Sequence, residues 1–516
     1  MGHRVQRVMA GRRRLRAVFF AGVLAAVAVI PSTPTLASYA ATGANGGGTR
    51  DVMANLFEWN WPSVAKECVT VLGPKGYGGV QVSPPQDSVK RTELGNGSDT
   101  ILHPWWEVYQ PVDYRLTSRM GTEAQFKSMV ATCRAAGVKV YVDAVINHMT
   151  GQGHISYGGV SYTKYDYPGL YTEGNFHHPG AGCPTTGGID DFNDYTQVFK
   201  CELVGLSDLR TETDYVRGRL AGYLNKLLGY GVSGFRVDAA KHVGQADLQA
   251  VIARLHNTVD GTRPYVALEV FGGGPGRLSP FAFLPVGSVL GLDVDVQLKN
   301  AFKSYSSPPN DGNIADLKVF GEQAGLPPSD KVLAFVQNHD TERNGDALNY
   351  KDGPTNVIAN EFLLAYGYGR PQVYAGFAWT TPDDSPPSDA GGFITDTNCD
   401  SGWVCVDRYT GVANMVGFHN YVGGAPVANW SEDGQNLIAF SRGHRGWIAI
   451  NNETTARTRT FTTGLHRGTY CDIIHGDYRA GRCSGPTVTV DHAGRATVTV
   501  PAKDAVAFDA RNLVRR

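Results

Sequence analysis

Short runs of apolar residues, each ending in polar residues, recur along most of the chain. They are rich in β-branched residues and nearly continuous, without the alternation of a strand that has one face in water. This character is typical of strands buried on both faces of a parallel sheet. We therefore predict parallel strands at 52–57, 79–83, 138–147, 232–238, 265–269, 332–340 and 372–376.

Helical patterns lie between these runs. Residues 124–136 place apolar side chains at helical spacing behind Thr122, a suitable N-cap, and 213–228 show the same pattern behind Thr213. Strands and helices alternate over roughly 350 residues, which predicts an α/β fold of the (β/α)₈ TIM-barrel type. A doubly wound sheet is the alternative.

Two segments depart from this alternation. Residues 148–212 are rich in Gly, Tyr, Pro and Asn, and a loop this long predicts a small inserted domain after the third strand. From about residue 425 the pattern changes to alternating strands separated by turn residues, which predicts a C-terminal antiparallel β-sandwich. Its strands are expected at 437–441, 446–451, 458–462, 487–490, 496–500 and 505–510.

The first 40 residues have the order of a signal peptide. Six arginines precede the apolar stretch 17–30, and small residues follow around 37–40. The stretch is too short to span a membrane, although a single membrane anchor is the alternative. We predict a signal peptide at 1–40, barrel at 41–147, an inserted domain at 148–212, barrel at 213–424 and a β-sandwich at 425–516.

Composition adds constraints on partners. With 42% hydrophobic and 18% charged residues the chain can bury a large core. The formal net charge of −1 becomes −7 when the six arginines leave with the signal peptide. Nucleic acids and anionic membranes bind basic surfaces, so neither is expected as a partner. A neutral substrate and a secreted, extracellular protein fit better.

The eight cysteines suit the oxidising compartment that export implies. They allow 105 pairings, among which the sequence does not choose. Two close pairs, Cys399 with Cys405 and Cys471 with Cys483, flank short loops. No CxxC motif is present, so structural disulfides are favoured over a zinc cluster.

Acidic residues stand where predicted strands end. Asp238, Glu269 and Asp340 each close a run, and in a parallel barrel that end carries the active site. Arg236 shares a strand face with Asp238 and is expected to hold that carboxylate ionised. Apolar neighbours are expected to raise the pKa of Glu269 toward that of a general acid. A single acid of this kind would be an ordinary ion-pair partner, but three at matching positions favour glycoside hydrolysis.

A set of motifs resembles those of the large α-amylase family, in particular the branch that includes animal and many actinobacterial α-amylases. The similarity extends from about residue 51 to residue 508. The motifs are specific only when taken together. They are FEWNW, GPKGYGGVQVSPP, HPWWEVYQPVDYRL, VYVDAVINHM, GFRVDAAKH, ALEV and FVQNHD.

The resemblance implies a role for each matching residue. Asp238 would be the nucleophile, Glu269 the acid/base, and Asp340 would bind sugar hydroxyls in the distorted ring of the transition state. Aromatic side chains among the substrate contacts would stack on glucose rings. The substrate contacts implied in this way are Trp105, Trp106, Tyr109, Gln110, His148, Arg236, Lys241, His242 and His339.

Calcium is the cofactor that the resemblance implies. Its ligands would be Asn147, Asp208 and the backbone carbonyls of Phe199 and His242, an all-oxygen set that suits this cation. The spacing of these residues alone does not reveal such a site, since no EF-hand loop is present. The ligands would tie the inserted domain to the barrel.

Chloride is doubtful as a second cofactor. Animal members of the family hold chloride with two arginines and an asparagine, and Arg236 and Asn338 match two of these positions. The third position carries Gln372 in an ungapped match, although a gap of two would bring Arg370 there. An anion needs positive charge to offset its lost hydration, so we expect little dependence on chloride.

The resemblance also implies a disulfide pattern. One bridge of the animal enzymes should be missing, because Thr117 stands where many of them have a cysteine. The implied pairs are Cys68–Cys133, Cys183–Cys201, Cys399–Cys405 and Cys471–Cys483.

The function predicted is a secreted, monomeric, endo-acting α-amylase that cleaves starch, glycogen and maltooligosaccharides with retention of configuration. One alternative is a retaining α-glucan enzyme of the same family that releases one short maltooligosaccharide or transglycosylates. A second is a glucan-binding protein without activity, which the presence of all three acids disfavours.

Overall fold

Eight parallel strands form a closed barrel. The computed structural model describes residues 50–95, 100–303 and 312–515. Each barrel strand pairs in parallel with the next, and the first pairs with the eighth. The predicted fold class is confirmed. The strands are β1 Met53–Leu56, β2 Gly79–Val82, β3 Lys139–Ala144, β4 Gly234–Val237, β5 Tyr265–Leu268, β6 Ser288–Leu290, β7 Val332–Phe335 and β8 Arg370–Phe377.

Seven of these strands coincide with predicted apolar runs. The pattern does not predict β6, because this strand has only three residues and glycines adjoin both of its ends. A run that short gives no periodicity, and its place in the barrel is set by pairing with β5 and β7.

Helices pack around the barrel, and two of them lie where the apolar stripes predict them. Thr122 and Thr213 are N-caps, as predicted, and accept hydrogen bonds from the N–H groups of Gln125 and Val216. The longer helices are α1 Trp61–Glu67, α2 Glu123–Ala135, α3 Asp214–Gly229, α4 Gln245–Ile252, α5 Leu292–Phe302, α6 Pro354–Tyr366 and α7 Thr410–Val422. Shorter helices are Gly73–Lys75, Tyr195–Lys200, Ala240–Val243, Pro280–Phe283 and Thr341–Asn344.

The barrel interior changes from apolar to polar toward the carboxyl ends of the strands. Because side chains alternate along a strand, Asp143 points inward like Tyr141, and Glu269 points inward like Ala267. The apolar layer consists of Met53, Tyr141, Ala267, Leu290, Leu333 and Phe335. The polar layer above it is where the site forms.

Residues 148–212, called the insert below, contain short elements between β3 and α3. In the sheet, the strand Phe176–Pro179 lies between the strands Gly182–Cys183 and Asp208–Leu209. The helix Tyr195–Lys200 connects these two outer strands along the chain. Buried tyrosines and Phe176 pack between these elements and belong to the main core. The insert is thus packed on the barrel.

The C-terminal region is all-β and antiparallel, as predicted. Its strands are β9 Val427–Glu432, β10 Leu437–Arg442, β11 Gly446–Asn451, β12 Arg457–Thr462, β13 Gly468–Cys471, β14 Thr487–Val490, β15 Arg495–Val500 and β16 Asp504–Asp509; short strands Tyr478–Arg479 and Arg482–Cys483 form a further pair. One sheet has the order β9, β10, β11, β16, and two further pairs, β12 with β15 and β13 with β14, pack against it through a separate apolar cluster. The pattern does not predict β9 and β13, which alternate weakly.

All eight cysteines form disulfides, in the four pairs that the resemblance implies. Each bridge joins segments that the fold brings side by side, such as α1 and α2. Among the described residues no helix is long and apolar enough to cross a membrane. The predicted signal peptide lies outside the described residues.

Candidate active site

The three strand-end acids meet at the carboxyl rim of the barrel. Asp238 directly follows β4, Glu269 directly follows β5, and Asp340 lies in the turn after β7. All three line a single cavity of about 620 Å³. The ends of parallel strands converge at one face of a barrel, which explains how residues so distant in sequence share one site.

Arg236 lies beneath the cavity and contacts three carboxylates. Its Nη1 donates to Asp143 Oδ1 at 2.8 Å and to Asp238 Oδ1 at 2.7 Å, and its Nη2 donates to Glu269 Oε1. The expected proximity of Arg236 and Asp238 is therefore found. Sequence reasoning missed Asp143, although the period of β3 places it inward beside Arg236.

Burial, more than the guanidinium, governs the ionisation of these acids. Burial raises the pKa of Asp238, and Arg236 lowers it by less. Burial also raises the pKa of Asp143 to about 7. Arg236 favours the ionised form of Asp238, as expected, and burial opposes it.

Glu269 has the raised pKa expected of a general acid, and burial is the main cause. Its surroundings are more polar than predicted. Besides the Arg236 contact, Glu269 Oε2 accepts a hydrogen bond from the Ala239 N–H at 2.7 Å. Ala239 takes φ = 45°, a left-handed conformation at the sharp turn after β4 that non-glycine residues rarely adopt.

Asp340 is held beside an imidazole. Its Oδ2 lies 3.2 Å from His339 Nε2 and 4.0 Å from Arg236 Nη2. Burial, followed by the charge of Glu269, raises the pKa of Asp340 to about 8. Its side chain is 30% exposed, so this carboxyl can reach a ligand in the cavity.

Aromatic rings form one wall of the cavity. His339 is stacked between Phe57 and Tyr109, with ring centroids 4.6 and 5.0 Å away. Trp105 meets the edge of His339 at 5.4 Å, and its indole N–H donates to the Pro382 carbonyl at 2.8 Å. The resulting surface presents a fixed indole ring to the cavity.

The predicted substrate contacts fall into two groups. Trp105, Tyr109, His148, Lys241, His242 and His339 line the cavity with the three acids. Trp106, Gln110 and Arg236 do not. Trp106 lies beside the cavity with its indole N–H on Asp383 at 3.2 Å, and buried Gln110 accepts a hydrogen bond from the Gly151 N–H at 3.0 Å.

Several lining residues were not predicted. Phe271 follows Glu269 by two positions, so strand alternation could have indicated it. The others come from loops and short helical turns, such as Thr341–Asn344, and carry no periodic signal. They are Phe192, Leu203, Val204, Leu206, Ala239, Gly272, Arg343, Asn344, Pro382 and Asp383.

The predicted calcium ligands lie where the insert meets the barrel. The buried Asp208 carboxylate is 3.2 Å from the Asn147 amide and 2.8 Å from His177 Nδ1. His242 Nδ1 lies 3.1 Å from the Val198 carbonyl, next to Phe199. No cluster of three His, Cys, Asp or Glu side chains suited to a metal occurs in the described ranges. The donors are instead a carboxylate, an amide and backbone carbonyls, a set that fits Ca²⁺.

The residues considered for chloride have hydrogen-bond or ring partners of their own. Asn338 Oδ1 accepts from the N–H groups of Asp340 and Thr341, both at 2.9 Å, and Gln372 donates to Gln81 Oε1 at 2.9 Å. Arg370, the first residue of β8, stacks on the Tyr265 ring at 4.2 Å. Gln372, two residues further along, is buried and pairs with Met53 of β1 and Phe335 of β7.

Comparison with known proteins finds similarity to α-amylases along most of the chain. Residues 86–261 match the family described as "Alpha amylase, catalytic domain", and residues 428–511 match "Alpha amylase, C-terminal all-beta domain". An α-amylase of Thermomonospora curvata is 43% identical over 96% of this chain and 79% of its own length. Pancreatic α-amylase of Sus scrofa is 39% identical over 87% of this chain and 92% of its own.

Comparison with solved structures also finds α-amylases. α-Amylase I of Eisenia fetida, in complex with maltohexaose, superposes with a TM-score of 0.83 at 36% identity, covering 90% of this chain and 99% of that one. A γ-CGTase from an alkalophilic bacillus shares the fold at 18% identity and a TM-score of 0.63, over 90% of this chain and 71% of that one.

Proposed function

Because this chain belongs to the α-amylase family of glycoside hydrolases, we propose that it cleaves internal α-1,4-glucosidic bonds of starch and glycogen with retention of configuration. The observation that carries this proposal is the pair Asp238 and Glu269, both bound by Arg236 beneath an open cavity. Retention requires carboxyl groups roughly 5–5.5 Å apart, and two carboxylates on one guanidinium favour such a short separation.

The two carboxyl groups have different roles in the reaction. Glu269, whose pKa burial raises, donates its proton to the glycosidic oxygen while Asp238 attacks the anomeric carbon. The bond to the leaving sugar breaks and a glycosyl ester forms on Asp238. Glu269 then takes a proton from water, which attacks the anomeric carbon, breaks the ester and releases the α-anomer.

Other residues position the sugar. Asp340 and His339 form a pair that can hydrogen-bond hydroxyl groups of the reacting glucose. Trp105 offers an aromatic face to a neighbouring glucose ring, and Tyr109 closes the same wall. His148, whose Nε2 lies 3.9 Å from Asp238 Oδ2, and Lys241 also line the cavity.

We further propose that Asn147, Asp208 and the carbonyls of Phe199 and His242 hold Ca²⁺. The buried Asp208 carboxylate beside an amide supports this assignment, because a cation would offset the cost of burying its charge. When bound, the ion would link the insert to the barrel. No catalytic step passes through it.

The decisive experiment combines variants with product stereochemistry. Asp238→Asn and Glu269→Gln should each lower kcat roughly ten-thousandfold with an unchanged circular dichroism spectrum, since each group acts in the chemical step. Rapid NMR should show the α-anomer released first from a maltooligosaccharide. A β-anomer would indicate inversion and refute the proposed mechanism, and a single oligosaccharide product from soluble starch would refute endo-action.

We propose that the protein is exported and acts as a monomer on polysaccharide, without a nucleic-acid or membrane partner. Four disulfides support an extracellular setting. N-terminal sequencing of the secreted form should find a start near Ala41. Retention of Met1 or Arg12 would contradict cleavage at this site.

A further inference from the structure

Arg343 belongs to the aromatic wall of the cavity and takes no part in the catalytic steps above. Its side chain is 3% exposed. Four aromatic rings surround the guanidinium, with centroids at 5.5 Å for Phe57, 5.6 Å for Trp105, 4.8 Å for Phe377 and 5.6 Å for Trp379. A cation over aromatic faces is attracted by their quadrupoles, most strongly when water is excluded.

The hydrogen bonds of Arg343 go to the turn that carries Asp340. Its Nη1 donates to the His339 carbonyl at 2.7 Å and also contacts the Glu342 carboxylate, which accepts a hydrogen bond from Tyr374 Oη at 2.9 Å. Within the described part of the chain, Nε and Nη2 of Arg343 have no hydrogen-bond partner. Aromatic rings are therefore their main surroundings.

This arrangement links one buried cation to the substrate-facing groups. Phe57, which contacts Arg343, stacks on His339, and His339 stacks on Tyr109. Trp105 contacts Arg343 and also meets the edge of His339. Movement of the guanidinium would thus change both the indole plane and the backbone before Asp340.

We propose that Arg343 is a positioning residue for glucan binding, which fixes the plane of Trp105 and the His339–Asp340 turn through its ring contacts and the His339 carbonyl. The inference rests on the proposed function, in which Trp105 stacks on glucose. A planar guanidinium can contact several rings and a carbonyl at once, whereas a lysine ammonium cannot.

The test is steady-state kinetics with maltoheptaose on Arg343→Met, Arg343→Lys, Trp105→Ala and the double variant Trp105→Ala/Arg343→Met. We expect Arg343→Met to raise KM about tenfold, with a smaller fall in kcat, because the stacking surface is no longer fixed. Arg343→Lys should recover part of the loss. In the Trp105→Ala background, Arg343→Met should raise KM by less than twofold, since residues that act together are non-additive.

Lys351→Met is the matched control. Lys351 lies 3.2 Å from the Trp379 ring but is exposed and outside the cavity, so its removal should leave KM unchanged. Additive effects on KM, or a fall in kcat with constant KM that tracks the folded fraction, would overturn the inference. If Arg343→Met does not fold, the same cycle is run with Arg343→Lys.

The experiment separates this inference from the proposed function. Absence of maltoheptaose hydrolysis by the wild-type enzyme would refute both. Normal wild-type hydrolysis, together with an unchanged KM in either Arg343→Met or Trp105→Ala, would refute the positioning role of Arg343 alone.

Discussion

At the scale of residues, the buried acids of the active site outnumber the positive charges that contact them. Asp143, Asp238 and Glu269 contact Arg236, and Asp340 lies 4.0 Å from it. Burial raises the pKa of all four acids, to about 7 for Asp143 and to about 8 for Asp340. The charges of neighbouring carboxylates raise the pKa further for Asp143, Glu269 and Asp340. These shifts favour retention of a proton in the site at neutral pH. A general acid such as Glu269 requires this.

The chloride prediction also belongs to single residues. Gln372 donates to Gln81 where a second arginine would be needed for an anion. We expect kcat of the wild type in chloride-free buffer to be within about twofold of kcat with chloride added. Gln372→Arg should create a clear dependence by placing a second arginine at that position.

Arg370→Met is the control for this measurement, because Arg370 stacks on Tyr265 at the amino-terminal ends of β8 and β5. Its loss should leave the response to chloride unchanged. Strong activation of the wild type by chloride would show that Gln372 does not replace the anion ligand.

At the scale of elements, the insert depends on a small junction with the barrel. Asn147 follows β3, Asp208 begins a short strand in the insert, and His242 lies in the helix after β4. If calcium occupies this junction, its binding free energy stabilises the native state, by about 2.7 kcal/mol at a hundredfold excess over Kd. Strong chelation should therefore lower Tm by about 3 °C, since unfolding a chain of this size has an entropy of about 1 kcal/mol/K.

Asp208→Asn should remove most of this response to chelator, which differential scanning calorimetry would measure with and without added calcium. Glu173→Gln is a matched control, since Glu173 is a carboxylate of the same insert with a 75% exposed side chain. Equal Tm and activity with and without chelator in the wild type would show that the site is wrongly assigned.

At the scale of the whole molecule, a polar cluster joins the barrel to the C-terminal sheet. His475 Nδ1 contacts Asp472 at 2.6 Å and Nε2 contacts Asp504 at 2.9 Å. Glu361 of α6 is buried beside this group. Hydrogen bonds to the two aspartates raise the pKa of His475 from 6.5 to about 10. The protonated imidazole therefore stabilises the native state.

The pH dependence of this stabilisation has a definite sign. Because the native pKa of His475 is the higher one, its contribution is complete below pH 6.5 and disappears as pH rises through about 10. We expect His475→Gln to lower the free energy of unfolding by about 1 kcal/mol at pH 6, after solvent screening, and by much less at pH 10. Urea unfolding at both pH values measures this.

His444→Gln, in the same region, controls for loss of an imidazole. A destabilisation by His475→Gln that is equal at pH 6 and pH 10 would show that the charge of His475 is not involved. The proposed boundaries after residues 147, 212 and 424 stay predictions at this scale, and limited proteolysis can test them.

The sequence alone determined the features that arise from local pattern. Apolar runs gave seven of the eight barrel strands, and Thr122 and Thr213 marked helix starts because an N-cap acts on N–H groups within three residues. Asp238, Glu269 and Asp340 could be grouped in advance because parallel strands end at one rim. The family motifs added the four disulfide pairs and the expected ligand sets.

Only the tertiary structure decided how these groups share charge and contacts. That Arg236 serves Asp143 and Glu269 as well as Asp238, and that Arg343 lies among rings from β1, β8 and the loops, depends on contacts between residues far apart in sequence. Sequence periodicity specifies which way a side chain points from its own element. The neighbour that it meets there, and hence its pKa and its role, depends on how the elements pack.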